Sequence, residues 1–106
     1  MTKDVLVVLV TCPTDKAQAM ADALVEDRVA ACVNIVPAVK SVYRWKGVVQ
    51  RDDEALMIIK TPKDRFEALK DAVLKRHPYE LPEVIAMTVD RGHAPYLDWV
   101  LESAHP

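Results

Sequence analysis

The sequence predicts an α+β fold of order β-α-β-β-α-β, closed by a C-terminal helix. Three observations point to it. The apolar runs Val5–Val10 and Ala55–Ile59 have no polar alternation, and the first is rich in β-formers, which marks central strands. Two stretches after strands carry apolar residues at helical spacing, Ala17–Val25 and Phe66–Leu74. Lys46-Gly47 separates two β-rich stretches, as a hairpin turn does.

The elements follow in order. Residues 5–12 (VLVVLVTC) form a first strand with Val5, Val7 and Leu9 on one face and Leu6, Val8 and Val10 on the other. Thr14 is placed to cap the next helix, with Asp15 in its first turn. Ala17, Met20, Ala21, Leu24 and Val25 then recur as one apolar stripe. Residues 32–46 read as a second strand, with Val33, Ile35, Val39, Tyr43 and Trp45 on one parity. Pro37 cannot donate to a ladder, so an edge position or a bulge is expected there. The third strand runs from about Val48 to Lys60, making an extended hairpin with the second. Thr61-Pro62-Lys63-Asp64 reads as a capping box with proline at the first helical position. Phe66, Leu69, Val73 and Leu74 give the second helix its stripe, and the helix ends by Pro78. Val84–Val89 is a fourth strand, and Pro95–Ser103 a short last helix.

This is the ferredoxin-like plan in a single domain spanning 1–106, a length ordinary for one domain. Two helices cover one face of the antiparallel sheet. Strands one, three and four are apolar on both faces, and the last helix is too short to cover the second. A second copy of the chain is the expected cover, and the long hairpin offers edges for pairing between chains. The pattern therefore predicts an obligate homo-oligomer.

The chain is 51% hydrophobic and 28% charged, with net charge −2 from 14 basic and 16 acidic residues. Disorder is excluded by the apolar content. A basic footprint for nucleic acid is missing. No stretch reaches the roughly 18 apolar residues of a membrane helix. Met1–Asp4 before the apolar run has the outline of an export signal, but the run is short, valine-rich and without a small-residue cleavage site. A cytoplasmic chain with Cys12 and Cys32 reduced is expected.

Catalytic signals are weak. There is no GxSxG and no glycine-rich phosphate loop, since Gly47 and Gly92 are the only glycines. Asp52-Asp53-Glu54 reads as a solvated charge run near a hairpin end. Thiolate, imidazole and thioether suit copper and zinc, so Cys12, Cys32, His77, His93, His105, Met57 and Met87 are the candidate ligands, with carboxylates such as Glu83. His105, one residue from the end, is expected to fray. The segment His77-Pro78-Tyr79-Glu80-Leu81-Pro82-Glu83 displays an imidazole and a phenol on a proline-stiffened loop.

Five segments resemble a known family in order along nearly the whole chain. They are Ala30–Ile35 (AACVNI), Ser41–Gly47 (SVYRWKG), Lys60-Thr61, His77–Glu83 (HPYELPE) and Tyr96–Trp99 (YLDW). The family is CutA, the divalent-cation tolerance proteins. The resemblance implies a tight homotrimer of ferredoxin-like subunits, similar in architecture to the PII signalling trimers, and no established catalysis. It implies binding of copper or another divalent cation, with no organic cofactor. Cys32, His77 and Glu83 lie in matching motifs and are the expected metal ligands. Cys12 lies two residues from Val10, where some members carry a further cysteine. The alternative is a PII-like module binding a small ligand or a partner protein at inter-subunit clefts, through Tyr43, Trp45, Lys60, Tyr79 and Trp99.

Overall fold

The computed structural model describes residues 4–106; the start of the stretch weighed as an export signal, Met1–Lys3, lies outside them. The elements are β1 (Val5–Cys12), α1 (Ala17–Glu26), β2 (Cys32–Trp45), β3 (Val48–Pro62), α2 (Phe66–Arg76), β4 (Ile85–Thr88) and α3 (Ala94–Ser103). They form one four-stranded sheet in the order β2-β3-β1-β4, antiparallel throughout. The α+β, ferredoxin-like reading is therefore shown.

The sheet packs its two faces differently. Leu6, Val8, Val10 and Cys12 of β1 and Ala55, Met57 and Ile59 of β3 face α1 and α2, where they form the main core with Met20, Leu24, Leu69 and Val73. On the opposite face α3 covers only one end, packing Leu97, Val100 and Ala104 against Val5 and Ala31. Beyond it the register sets Leu9, Ile58 and Ile85 side by side, and Ile85 and Met87 are about half exposed, at 51% and 49%.

Four local expectations are corrected. Thr14 does not cap α1, whose N-cap is Lys16 with no side-chain hydrogen bond. Thr61 does not cap α2: it is buried in β3 and its hydroxyl donates to the Val29 carbonyl at 2.8 Å, so a 3₁₀ turn at Lys63–Arg65 leads into the helix instead. Val25 and Leu74 lie off the apolar stripes and are exposed. His105 is tied down, its ring meeting the Leu101 carbonyl at 2.5 Å and the Asp64 carboxylate at 3.0 Å.

The second strand does not keep one parity. Val36 pairs with Leu56 and Val39 with Glu54, so three steps on β2 match two on β3. This bulge brackets Pro37, whose missing N–H makes it a natural place to interrupt a ladder. It turns Val39, Ser41, Tyr43 and Trp45 to the face opposite Val33 and Ile35. Past it the hairpin leaves the helices behind and ends in a two-residue turn, with Lys46 at φ 50° and Gly47 at φ 81°. Two positive φ values in succession are the type I′ geometry that matches strand twist. The projecting hairpin gives a long axis of 44 Å and a radius of gyration of 14.2 Å. A compact chain of this length has about 13 Å.

Candidate functional site

The loop from His77 to Glu83 is fastened to the sheet just before β4 starts. β4 begins opposite Leu9, which leaves the Thr11 carbonyl without a strand partner on that side. The His77 ring fills this gap, with Nε2 2.7 Å from the Thr11 oxygen. Its Nδ1 accepts the Tyr79 N–H at 3.2 Å. A carbonyl only accepts and an amide N–H only donates, so the neutral ring carries its proton on Nε2. His77 is buried and both ring nitrogens are engaged; a metal on either must displace a hydrogen bond.

The fastening sets Tyr79. Its ring packs on His77 at 4.6 Å between centroids, and its hydroxyl donates to Glu54 Oε2 at 2.8 Å. Tyr43 makes the matching contact, donating to Asp52 Oδ2. Burial, then the bond to Glu54, pushes the Tyr79 phenol well above the usual value of 10. The bond to Asp52 raises Tyr43 in the same sense. Between this loop and the hairpin's far half lies a groove of about 670 Å³. Tyr43, Trp45 and Tyr79 give it aromatic surface, and Asp52, Glu54, Glu80 and Glu83 give it acid.

The expected site residues thus divide. Tyr43, Trp45, Tyr79 and Glu83 line the groove together. Cys32 and Lys60 sit opposite one another at the other end of the sheet. There both the Cys32 thiol and the Lys60 ammonium reach the Asn34 side-chain oxygen. Trp99 stacks on Tyr96 at 5.6 Å, and the Tyr96 phenol is raised by burial and then by its contact with Cys32. Thr11, which holds His77, pairs with Leu56, four residues along β3 from Lys60, or about 13 Å. Cys32 and His77 of one chain therefore do not meet at one metal. Among the described residues no three His, Cys, Asp or Glu side chains are placed to hold a cation. Cys12 is buried in the main core, and burial, then Glu54, raises its thiol, which disfavours the thiolate a metal needs.

Reading 52–54 as a charge run missed two groove residues. The signal was strand parity: Asp52 and Glu54 share the groove side, while Asp53 faces the other way and pairs with Lys40 at 2.7 Å.

The architecture defines the class: a ferredoxin-like subunit with an overlong hairpin, as in PII-like proteins. Residues 6–103 match the family described as CutA1 divalent ion tolerance protein, and the chain belongs to that family. It is 48% identical over 98 residues to a divalent-cation tolerance protein CutA of Thermus thermophilus, covering 92% of this chain and 95% of that one. It is 52% identical over 92 residues to human protein CutA, covering 86% of this chain and 51% of that one, so it spans about half the length of that relative. The solved structure of a PII-like protein CutA from Nostoc, in apo form, superposes with a TM-score of 0.90 at 34% identity, covering 94% and 97% of the two chains. No described helix is long and apolar enough to cross a membrane.

Proposed function

We propose that the chain works as a homotrimer in the response to divalent cations, copper among them, and that it does so as a PII-like binding module rather than as a catalyst. The observation that carries this reading is the sheet face that α3 leaves bare. Ile85 and Met87 stand half exposed beside Leu9 and Ile58, and Val48 is exposed farther out on the same side of the projecting hairpin. An apolar sheet surface of this kind is stable in water when another subunit covers it. Three copies is the number the family resemblance implies. Cytoplasmic residence fits two cysteines that are both free thiols.

Copper is the cargo of this reading. By residue type the donors are Cys32, His77 and Glu83; by placement they serve only where subunits meet, and His77 only after one ring nitrogen leaves its partner. The groove holding Tyr43, Trp45 and Tyr79 is the effector site of the PII-like module. Light scattering at micromolar concentration should give the mass of three chains, and a monodisperse monomer overturns the reading. Crystals grown with Cu²⁺ should show an anomalous peak beside Cys32 or Glu83 at a subunit boundary; a peak away from all three donors removes copper from the proposal.

A further inference from the structure

We infer that the groove between the far half of the hairpin and the 77–83 loop binds an organic ammonium ligand, a primary amine on an apolar stem. The inference rests on the effector-site reading above and names the ligand's chemical class; it does not depend on copper.

Glu54 is the key observation. It is 5% exposed, yet it makes no ion pair among the described residues. Oε2 accepts the Tyr79 hydroxyl, and Oε1, with no donor among those residues, is not closed off from solvent. A carboxylate mostly withdrawn from water, with one oxygen left open, gains by charge-assisted pairing with a cation. Glu54 lines the groove, so a cation bound there can reach it.

The rest of the groove selects the kind of cation. Both phenols spend their hydroxyl protons on carboxylates, so the walls offer acceptors and few donors. Asp52, Glu80 and Glu83 add negative charge, which repels phosphate and carboxylate ligands. Lys46 is the single basic residue among the lining residues, and its Nζ stands 5.7 Å from the Trp45 ring centroid. The chain thus already places an ammonium against one wall. An ammonium group donates up to three hydrogen bonds and is attracted to aromatic faces, so it satisfies both features at once. A bare metal ion does not fit as well, since no three donor side chains are placed to hold one. The groove's size matches clefts that enclose a small organic molecule.

Spermidine is the probe, titrated by calorimetry into the full chain at low salt. Saturable binding is expected, with Glu54→Gln weakening it roughly ten- to a hundredfold, the worth of a charge-assisted hydrogen bond. Asp52 is on the surface, so Asp52→Asn serves as the variant certain to keep its core, and it should weaken binding severalfold. Lys46→Met removes the competing cation and should tighten binding. Absence of spermidine binding, equal affinity in wild type and both carboxylate variants, or the same response to Mg²⁺ at matched ionic strength overturns the inference. Light scattering on the same samples separates the two proposals. A three-chain mass without spermidine binding removes the ammonium assignment alone, and a single-chain mass removes the assembly.

Discussion

The half of the hairpin nearest the sheet and the half beyond the bulge use the same two strands but bury their side chains by different rules. In the near half, Val33 and Ile35 pair across from Ile59 and Met57, and all four pack toward the helices. In the far half, Tyr43 faces Gln50 and Ser41 faces Asp52, with no helix against them. Val42 there is 64% exposed, while Met57 and Ile59 are fully buried. One inserted residue beside Pro37 separates the two regimes. The near half belongs to the fold of one chain. The far half has aromatic, acidic and apolar groups that the chain's own core does not use, which fits a role in assembly and ligand recognition.

Two substitutions test that division most strongly. Ile59→Ala removes a fully buried side chain from the near half, and a loss of about 2–5 kcal/mol is expected in urea unfolding. Trp45→Asp changes the tip of the far half. It should leave the secondary structure intact and drop the light-scattering mass below three chains. A Trp45→Asp protein that keeps both its mass and its melting temperature would erase the distinction between the halves.

Much of this architecture was legible in the sequence, for physical reasons that can be named. Unbroken apolar runs exposed the central strands, because burial on both faces removes polar alternation. Pro37 announced its bulge because a missing N–H cannot be hidden in a ladder. The same bulge then defeated the single-parity stripe through Tyr43 and Trp45, since one extra residue reverses every later side chain and its exact step is not written in composition. Thr61 looked like a cap because its hydroxyl can serve a helix N–H or a distant carbonyl equally well; only the carbonyl of Val29 nearby decided its role. His77 could be picked out as chemically notable, but its job as a plug for the Thr11 carbonyl depends on where β4 starts. That starting point, opposite Leu9, is a fact of tertiary register. Glu54 was hidden for the opposite reason: three acids in a row look solvated until strand pairing sends the middle one outward.

Alkaline pH offers a gentler probe of the far half. The Tyr79 phenol is raised above its usual value of 10 by burial, then by its bond to Glu54. In the unfolded chain the phenol ionises near 10, while in the folded chain it keeps its proton to higher pH. Above that value the unfolded state therefore binds fewer protons, and stability falls as pH rises. The contribution is complete below about pH 10 and is lost on going up through the folded value. Melting temperature followed from pH 8 to 11.5 should decline above 10, and Tyr79→Phe should flatten part of that decline. A parallel decline in both proteins would show that Tyr79 is not held against Glu54.

The smallest expected effect lies at the tip. Lys46 adopts φ 50°, a region that costs an ordinary L-residue about 1–2 kcal/mol and that asparagine occupies more readily. Asn-Gly is also the preferred pair for this turn type. Against that gain stands the loss of the Lys46 ammonium over Trp45, which at 5.7 Å is near the limit of such contacts and on the exposed surface is worth about 0.5 kcal/mol. Relief of backbone strain is the larger quantity, so Lys46→Asn should stabilise the protein by about 0.5 kcal/mol. The control is Gly47→Ala, where φ of 81° disfavours any Cβ although the space around it is open. That change should destabilise by about 1 kcal/mol through backbone conformation alone. If Lys46→Asn instead lowers the melting temperature while Gly47→Ala behaves as expected, the lysine side chain contributes more than its turn costs. The tip of the far half would then be held by its side chains and not by its turn.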